Sequence, residues 1–299
     1  MKNTIFKGCA TAIVTPFDDE NKINFDVFRK LVNFQIDNGI NAIVVCGTTG
    51  EAATLSNEEK NALIEYCVKV VNKRVPVIAG VGGNNTDVVV KSSKFAERVG
   101  VDGLLTVTPY YNKTTQKGLI EHFKEIAENT NLPIILYNVP SRTGMDILPS
   151  TYLELSKIEN IVATKEASGD ISKILKVRNL CRDNLNVYSG NDDQIIPVLS
   201  LGGIGVISVL SNIMPKFTSE MIKKYFNKET EEASNMQIEV SNLIDCLFKE
   251  VNPIPVKEAL NLIGFKCGNT RLPLAKCTVE LRKEIEKEIL KNKILLPKT

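Results

Sequence analysis

Eight short apolar runs rich in β-branched residues recur through the first two thirds of the chain: Ala10 to Val14, Ala42 to Val45, Val75 to Ala79, Gly103 to Val107, Pro133 to Leu136, Ile161 to Ala163, Asn186 to Tyr188 and Gly205 to Val209. Amphipathic stretches separate most of them, with apolar residues at helical spacing, as in Leu63, Ile64, Cys67, Val70 and Val71. Boundary signals agree: Ser56 with Glu59 makes a capping box, Asn38-Gly39 suits a helix end, and Pro149 suits a first helical turn. Strands alternating with helices build a parallel sheet covered on its outer face, and eight such units close into a barrel within about 250 residues. A doubly wound open sheet is the alternative. It loses support because no Gly-x-Gly-x-x-Gly follows the first run, and Gly80 to Gly83 lacks the Lys-Ser/Thr of a phosphate loop. The pattern predicts an α/β fold: a (β/α)8 TIM barrel over residues 1–225, then a C-terminal helical extension over 226–299 packed on the barrel or on a neighbouring subunit.

Composition narrows the function classes. With 37 Lys and Arg against 35 Asp and Glu the net charge is +2, and no basic block offers a footprint for nucleic acid. The longest apolar stretches, such as Ile204 to Leu210, fall far short of the roughly 18 to 20 residues of a membrane-spanning helix. The first residues lack the length and cleavage pattern of a signal peptide, so a cytoplasmic protein is expected. Seven cysteines without a Cys-x-x-Cys pair point to buried free thiols, Cys46 included, rather than to a disulfide framework or a thiolate zinc site. The single histidine, His122, lies in a helical stretch and cannot build a multi-histidine metal site. It also leaves little room for Ser-His-Asp or Cys-His chemistry.

Polar residues collect where the apolar runs end: Thr15-Pro16, Gly47 to Glu51, Gly82 to Asn84, Thr108 to Asn112, Tyr137-Asn138, Lys165-Glu166, Ser189 to Asn191 and Ser211-Asn212. In a barrel these exits share one face, where barrel active sites lie. Lys165 stands out because it ends a buried-looking strand, where a solvated lysine is out of place. Burial lowers an amine's pKa and frees a nucleophile for a carbonyl carbon, which is Schiff-base chemistry. An ion pair with Glu166 or another carboxylate is the structural alternative. Lys257, after Pro253-Ile-Pro-Val, is a weaker rival, expected to be solvated near the start of a helix. Without a second imidazole, proton transfer falls to hydroxyls, and Tyr111, Tyr137 and Thr49 are available. Arg142 suits bidentate binding of a substrate carboxylate. A non-catalytic barrel binding a small carboxylate, and a phosphate-binding barrel built on Gly202 to Gly205, are readings from other classes. The acidic Ser189-Gly190-Asn191-Asp192-Asp193 run disfavours the second.

In combination these residues resemble the dihydrodipicolinate synthase and N-acetylneuraminate lyase family of pyruvate-dependent class I aldolases, along essentially the whole chain. The motifs that carry the resemblance are Gly47-Thr48-Thr49-Gly50-Glu51, Thr108-Pro109-Tyr110-Tyr111-Asn112, Tyr137 to Gly144, Lys165-Glu166-Ala167-Ser168-Gly169 and Ser189-Gly190-Asn191-Asp192. The resemblance implies that Lys165 forms an imine with pyruvate, and that Tyr137 moves protons, linked through Thr49 to a Tyr111 reaching in from the neighbouring subunit. It implies that Thr48 and Thr49 hold the pyruvate carboxylate, that main-chain groups of Gly190 and Ile207 line the pocket, and that neither metal nor organic cofactor takes part. It further implies a homotetramer, a dimer of tight dimers. The Ser141-Arg142-Thr143-Gly144 and Gly-Thr-Thr-Gly patterns are similar to the synthase branch, with Arg142 on the carboxylate of L-aspartate 4-semialdehyde, on the route to diaminopimelate and lysine. The alternative within the family is an aldolase acting on a 2-keto-3-deoxy sugar acid or sialate. Asn57, Lys60 and Val88 depart from the pattern of lysine-inhibited members, which implies weak or absent inhibition by lysine.

Overall fold

The computed structural model describes residues 2–294; Met1 and residues 295–299, at the outer ends of the expected ranges 1–225 and 226–299, lie outside it. Eight parallel strands close on themselves in sequence order: β1 (Gly8–Ala12), β2 (Ala42–Val45), β3 (Val77–Gly80), β4 (Gly103–Val107), β5 (Ile134–Asn138), β6 (Ile161–Glu166), β7 (Asn186–Ser189) and β8 (Gly205–Ser208), with β8 pairing back onto β1. Between and after them run α1 (Phe25–Asp37), α2 (Asn57–Val71), α3 (Thr86–Val99), α4 (Gln116–Glu128), the single turn α5 (Pro140–Thr143), α6 (Pro149–Leu155), α7 (Ile171–Cys181), α8 (Ile195–Ser200) and α9 (Pro215–Phe226). The extension comprises α10 (Thr230–Glu239), α11 (Ser241–Phe248), α12 (Ile254–Leu262) and α13 (Val279–Lys291). It is tied to the barrel by polar contacts, including Gln237 Nε2 donating to the Asp192 carbonyl at 2.9 Å and a Lys257–Glu51 ion pair. We propose that the described part of the extension, residues 226–294, forms one functional unit that completes the barrel mouth.

Local signals set the helix ends. Ser56 and Glu59 form the reciprocal capping box, α1 ends at Asn38 with Gly39 at φ 82°, and α6 opens on Pro149. Two apolar clusters then follow from the strands' period of two. Residues such as Ile43, Leu104, Leu136 and Val187 point outward and pack with Phe28, Leu63, Phe123 and Tyr152 from the helices. Ala10, Ala12, Ala42, Ile78, Leu105, Ile135, Tyr137, Tyr188 and Ile207 fill the interior. At the N-terminal end of the barrel the Phe6 and Tyr188 rings stack at 4.3 Å, and the Tyr188 hydroxyl donates to the Phe6 carbonyl at 2.6 Å.

Strands β5 and β6 run further than the sequence pattern indicated. Tyr137, Asn138, Lys165 and Glu166 read as exit residues because they are polar, yet all four are buried and lie within the ladder, Tyr137 opposite Lys165 and Asn138 opposite Glu166. Their polarity is accommodated because alternate residues face different surroundings, as described below.

His122 sits buried on α4 with its Nδ1 2.8 Å from the Thr86 hydroxyl. Burial pushes its pKa down from the ordinary 6.5 to about 4. Between those values the unfolded chain binds the extra proton. The contribution to stability is therefore complete above pH 6.5 and disappears as the pH falls toward 4, on the order of 3 kcal/mol. Urea-unfolding midpoints measured across that window should fall more steeply for the wild type than for His122→Asn, whose amide cannot titrate. Parallel curves would show that His122 does not contribute.

Candidate active site

Lys165 and Tyr137 point into the barrel from adjacent strands, and the Lys165 Nζ lies 4.4 Å from the centre of the Tyr137 ring. One residue on, Asn138 and Glu166 face the surrounding helices. The Glu166 carboxylate accepts hydrogen bonds from Asn138 Nδ2 at 3.0 and 3.1 Å, the Tyr152 hydroxyl at 2.8 Å and the Ser168 N–H at 2.9 Å. The Lys165–Glu166 ion pair is thereby overturned. Adjacent residues of a strand point to opposite faces, and Glu166 is already satisfied on its own. Among the described residues Lys165 forms no ion pair.

The charge of Lys165 is felt by the carboxylate of Asp192. Asp192 is buried after β7, one carboxylate oxygen accepting the N–H groups of Val209 and Leu210 at 2.9 Å each. Burial pushes its carboxyl pKa up, against the hydrogen bonds from Ser208, Leu210 and Val209 and the charge of Lys165. Gly190, two residues earlier, donates its N–H to the Glu166 carbonyl at 2.8 Å. A Cβ there would lie 2.6 Å from that of Ala167, so only glycine permits this approach of the β7 exit to the β6 exit. Ile207 is buried in the same interior cluster as Tyr137.

Thr48, Tyr137, Arg142 and Tyr110 line one cavity of about 790 Å³ that opens at the strand exits. Thr49 is buried beside it, its hydroxyl accepting from Asn252 Nδ2 at 3.0 Å. The turn that carries both threonines is tight, with the Gly50 N–H on the Gly47 carbonyl at 3.1 Å and the Glu51 N–H on the Thr48 carbonyl at 3.0 Å. Cys46 and Glu51 bracket it in left-handed conformations, φ 56° and 54°. Non-glycine residues are held there only when their surroundings over-determine them. Arg142, on α5, is exposed at the cavity rim and donates to the Asn252 carbonyl at 3.1 Å. Cys46 is buried, and burial pushes its thiol up to about 12, which leaves it a packing residue.

Two placements differ from expectation or add to it. Lys257 is not solvated: it is 1% exposed, with its ammonium on Glu51 Oε1 and on the Asn269 carbonyl, both at 2.8 Å. A helix start reads as exposed, but α12 is turned inward against the barrel mouth. Tyr111 is 92% exposed with φ 71°, and within one chain it does not join Tyr137 and Thr49. Asn252 and Asp192 are site residues that the sequence reading left without a role. Asp192 follows Gly190-Asn191 in one of the motifs that carry the family resemblance, whereas no sequence signal marks Asn252, whose partner Thr49 is 203 residues away.

A model of the dihydrodipicolinate synthetase family matches residues 5–292. The 4-hydroxy-tetrahydrodipicolinate synthase 1 of Clostridium acetobutylicum is 56% identical over 271 residues, 91% of this chain and 92% of that one. The 4-hydroxy-tetrahydrodipicolinate synthase of Clostridium novyi is 53% identical over 289 residues, 97% of this chain and 96% of that one. Among solved structures, dihydrodipicolinate synthase from Acinetobacter baumannii complexed with pyruvate superimposes with a TM-score of 0.95 at 41% identity, covering 98% of this chain and 100% of that one.

Proposed function

The chain belongs to the dihydrodipicolinate synthetase family, and from that premise we propose the reaction for which its barrel mouth is suited. It acts as a 4-hydroxy-tetrahydrodipicolinate synthase, a lyase, as its relatives at 53 to 56% identity do. In the reaction we propose, the Lys165 amine adds to the ketone carbon of pyruvate and water leaves, giving an imine. The imine draws electrons from the adjacent methyl carbon, which gives up a proton. The resulting enamine carbon attacks the aldehyde of L-aspartate 4-semialdehyde, whose oxygen takes up a proton as the new carbon–carbon bond forms. The amine of the semialdehyde then adds to the imine carbon and the Lys165 amine leaves, which closes the product ring and frees the enzyme. Tyr137 and Thr49 carry the protons, Thr48 and Thr49 hold the pyruvate carboxylate, and main-chain groups of Gly190 and Ile207 line the pocket. Arg142 binds the aldehyde substrate's carboxylate.

The observation that carries this reading is the interior placement of Lys165 against the Tyr137 ring, with Glu166 turned away. Arg142 at the cavity rim favours a carboxylate-bearing aldehyde over a sugar acid. The 92% exposure of Tyr111 supports its service to a neighbouring site, in a cytoplasmic homotetramer built from tight dimers. The test is a condensation assay with pyruvate and L-aspartate 4-semialdehyde, set beside cleavage assays with 2-keto-3-deoxy acids and sialate, with light scattering on the same sample. Cleavage of a sugar acid without condensation would overturn the substrate, and a solution mass of one chain would overturn the shared site.

Lysine should inhibit weakly or not at all. Asn57, Lys60 and Val88 line the cavity where an ammonium would need a carboxylate, and Lys60 repels it. Half-inhibition at submillimolar lysine would contradict this.

A further inference from the structure

Lys257 and Glu51 form a buried ion pair with no part in the steps above. The two side chains are 2% and 0% exposed and meet at 2.8 Å. Neither has a free face. Glu51 Oε2 accepts the Arg271 N–H at 2.9 Å. The Lys257 ammonium also donates to the Asn269 carbonyl at 2.8 Å and lies 4.2 Å from the centre of the Phe17 ring. An ammonium so engaged has no lone pair to offer a carbonyl, so Lys257 is not a second nucleophile. Removing a buried pair in favour of apolar groups is often neutral or stabilising, because desolvation consumes most of the Coulomb energy. Stability alone therefore does not account for the pair.

Its position does. Glu51 closes the Thr48-Thr49-Gly50 turn in a left-handed conformation that glycine would adopt with less strain, yet glycine would lack the carboxylate. Five residues before Lys257, Asn252 bonds the Thr49 hydroxyl, so the start of α12 grips the turn at Thr49 and again at Glu51. We infer that Lys257 and Glu51 are positioning residues, an anchor by which the C-terminal extension fixes the Thr49 hydroxyl for proton transfer. The inference rests on the pyruvate-imine reading of the site.

Lys257→Met alone leaves an unpaired buried carboxylate and risks unfolding, so the decisive variant is Glu51→Gln with Lys257→Met, which buries no charge. Three quantities are read: pyruvate trapped on Lys165 by borohydride per folded chain, exchange of the pyruvate methyl hydrogens in deuterated water, and kcat. At saturating pyruvate the double variant is expected to trap pyruvate as the wild type does, with KM for pyruvate raised about threefold to tenfold, because Thr49 also holds the carboxylate that Thr48 still binds. Methyl exchange and kcat should fall on the order of 10- to 100-fold, the scale of a small misplacement of a reacting group. Wild-type exchange and kcat in a folded double variant would overturn the inference. Loss of folding in the double variant would overturn it too, by showing the pair to be structural. No adduct in the wild type would instead overturn the imine reading itself.

Discussion

Lys165→Met is expected to abolish trapping of pyruvate by borohydride and to lower kcat/KM on the order of 10⁴-fold or more, because no other group can form the imine. The substitution is a clean one. The Lys165 stem already lies in the barrel interior, against the Tyr137 ring and without an ion-pair partner among the described residues, so methionine fills similar space, and Asp192, which loses the Lys165 charge, keeps the N–H groups of Val209 and Leu210. Circular dichroism and melting temperature should therefore stay close to wild type while activity vanishes. Peptide mapping of the wild-type adduct adds the positive half of the test. An adduct on any other lysine, or residual turnover within tenfold of wild type, would remove Lys165 from the role assigned to it. Lys257 is the competitor worth mapping, and its engagement with Glu51 and the Asn269 carbonyl predicts that it stays unmodified.

Arg142→Ala should reduce kcat/KM for L-aspartate 4-semialdehyde roughly 100-fold, the worth of a charge-assisted bidentate contact, while the KM for pyruvate moves little. The guanidinium sits at the rim of the cavity, exposed, with one hydrogen bond among the described residues, to the Asn252 carbonyl, so most of its donors are available to a substrate carboxylate. Arg142→Lys should recover only part of the loss, since an ammonium keeps the charge without the planar fork. Equal losses for both substrates would mean that Arg142 supports the site through Asn252 rather than by binding the aldehyde.

Most of the barrel was legible because its signal is local. A parallel strand buried on both faces must be apolar, a covering helix must be amphipathic, and eight repetitions leave few topologies. The ends of β5 and β6 were less legible. Tyr137, Asn138, Lys165 and Glu166 are polar, and polarity alone cannot distinguish a strand that continues through a site from a loop that begins there. Within the candidate site, the residues of recognisable motifs were visible in sequence, whereas Asn252 was not, since its significance comes from touching Thr49, 203 residues away.

By itself the sequence determined the (β/α)8 architecture, the presence of a lysine at the inner end of an apolar strand, and the motif set that marks the family. Periodicity and residue type are properties of neighbouring positions, and those needed no folding to be read. Only the tertiary structure decided that Glu166 faces away from Lys165 and that Lys257 is buried on Glu51, 206 residues distant. It also decided that Tyr111 stands exposed outside its own chain's cavity. Each of these depends on which face of an element meets which partner across the closed barrel, and that is fixed by three-dimensional packing rather than by position along the chain.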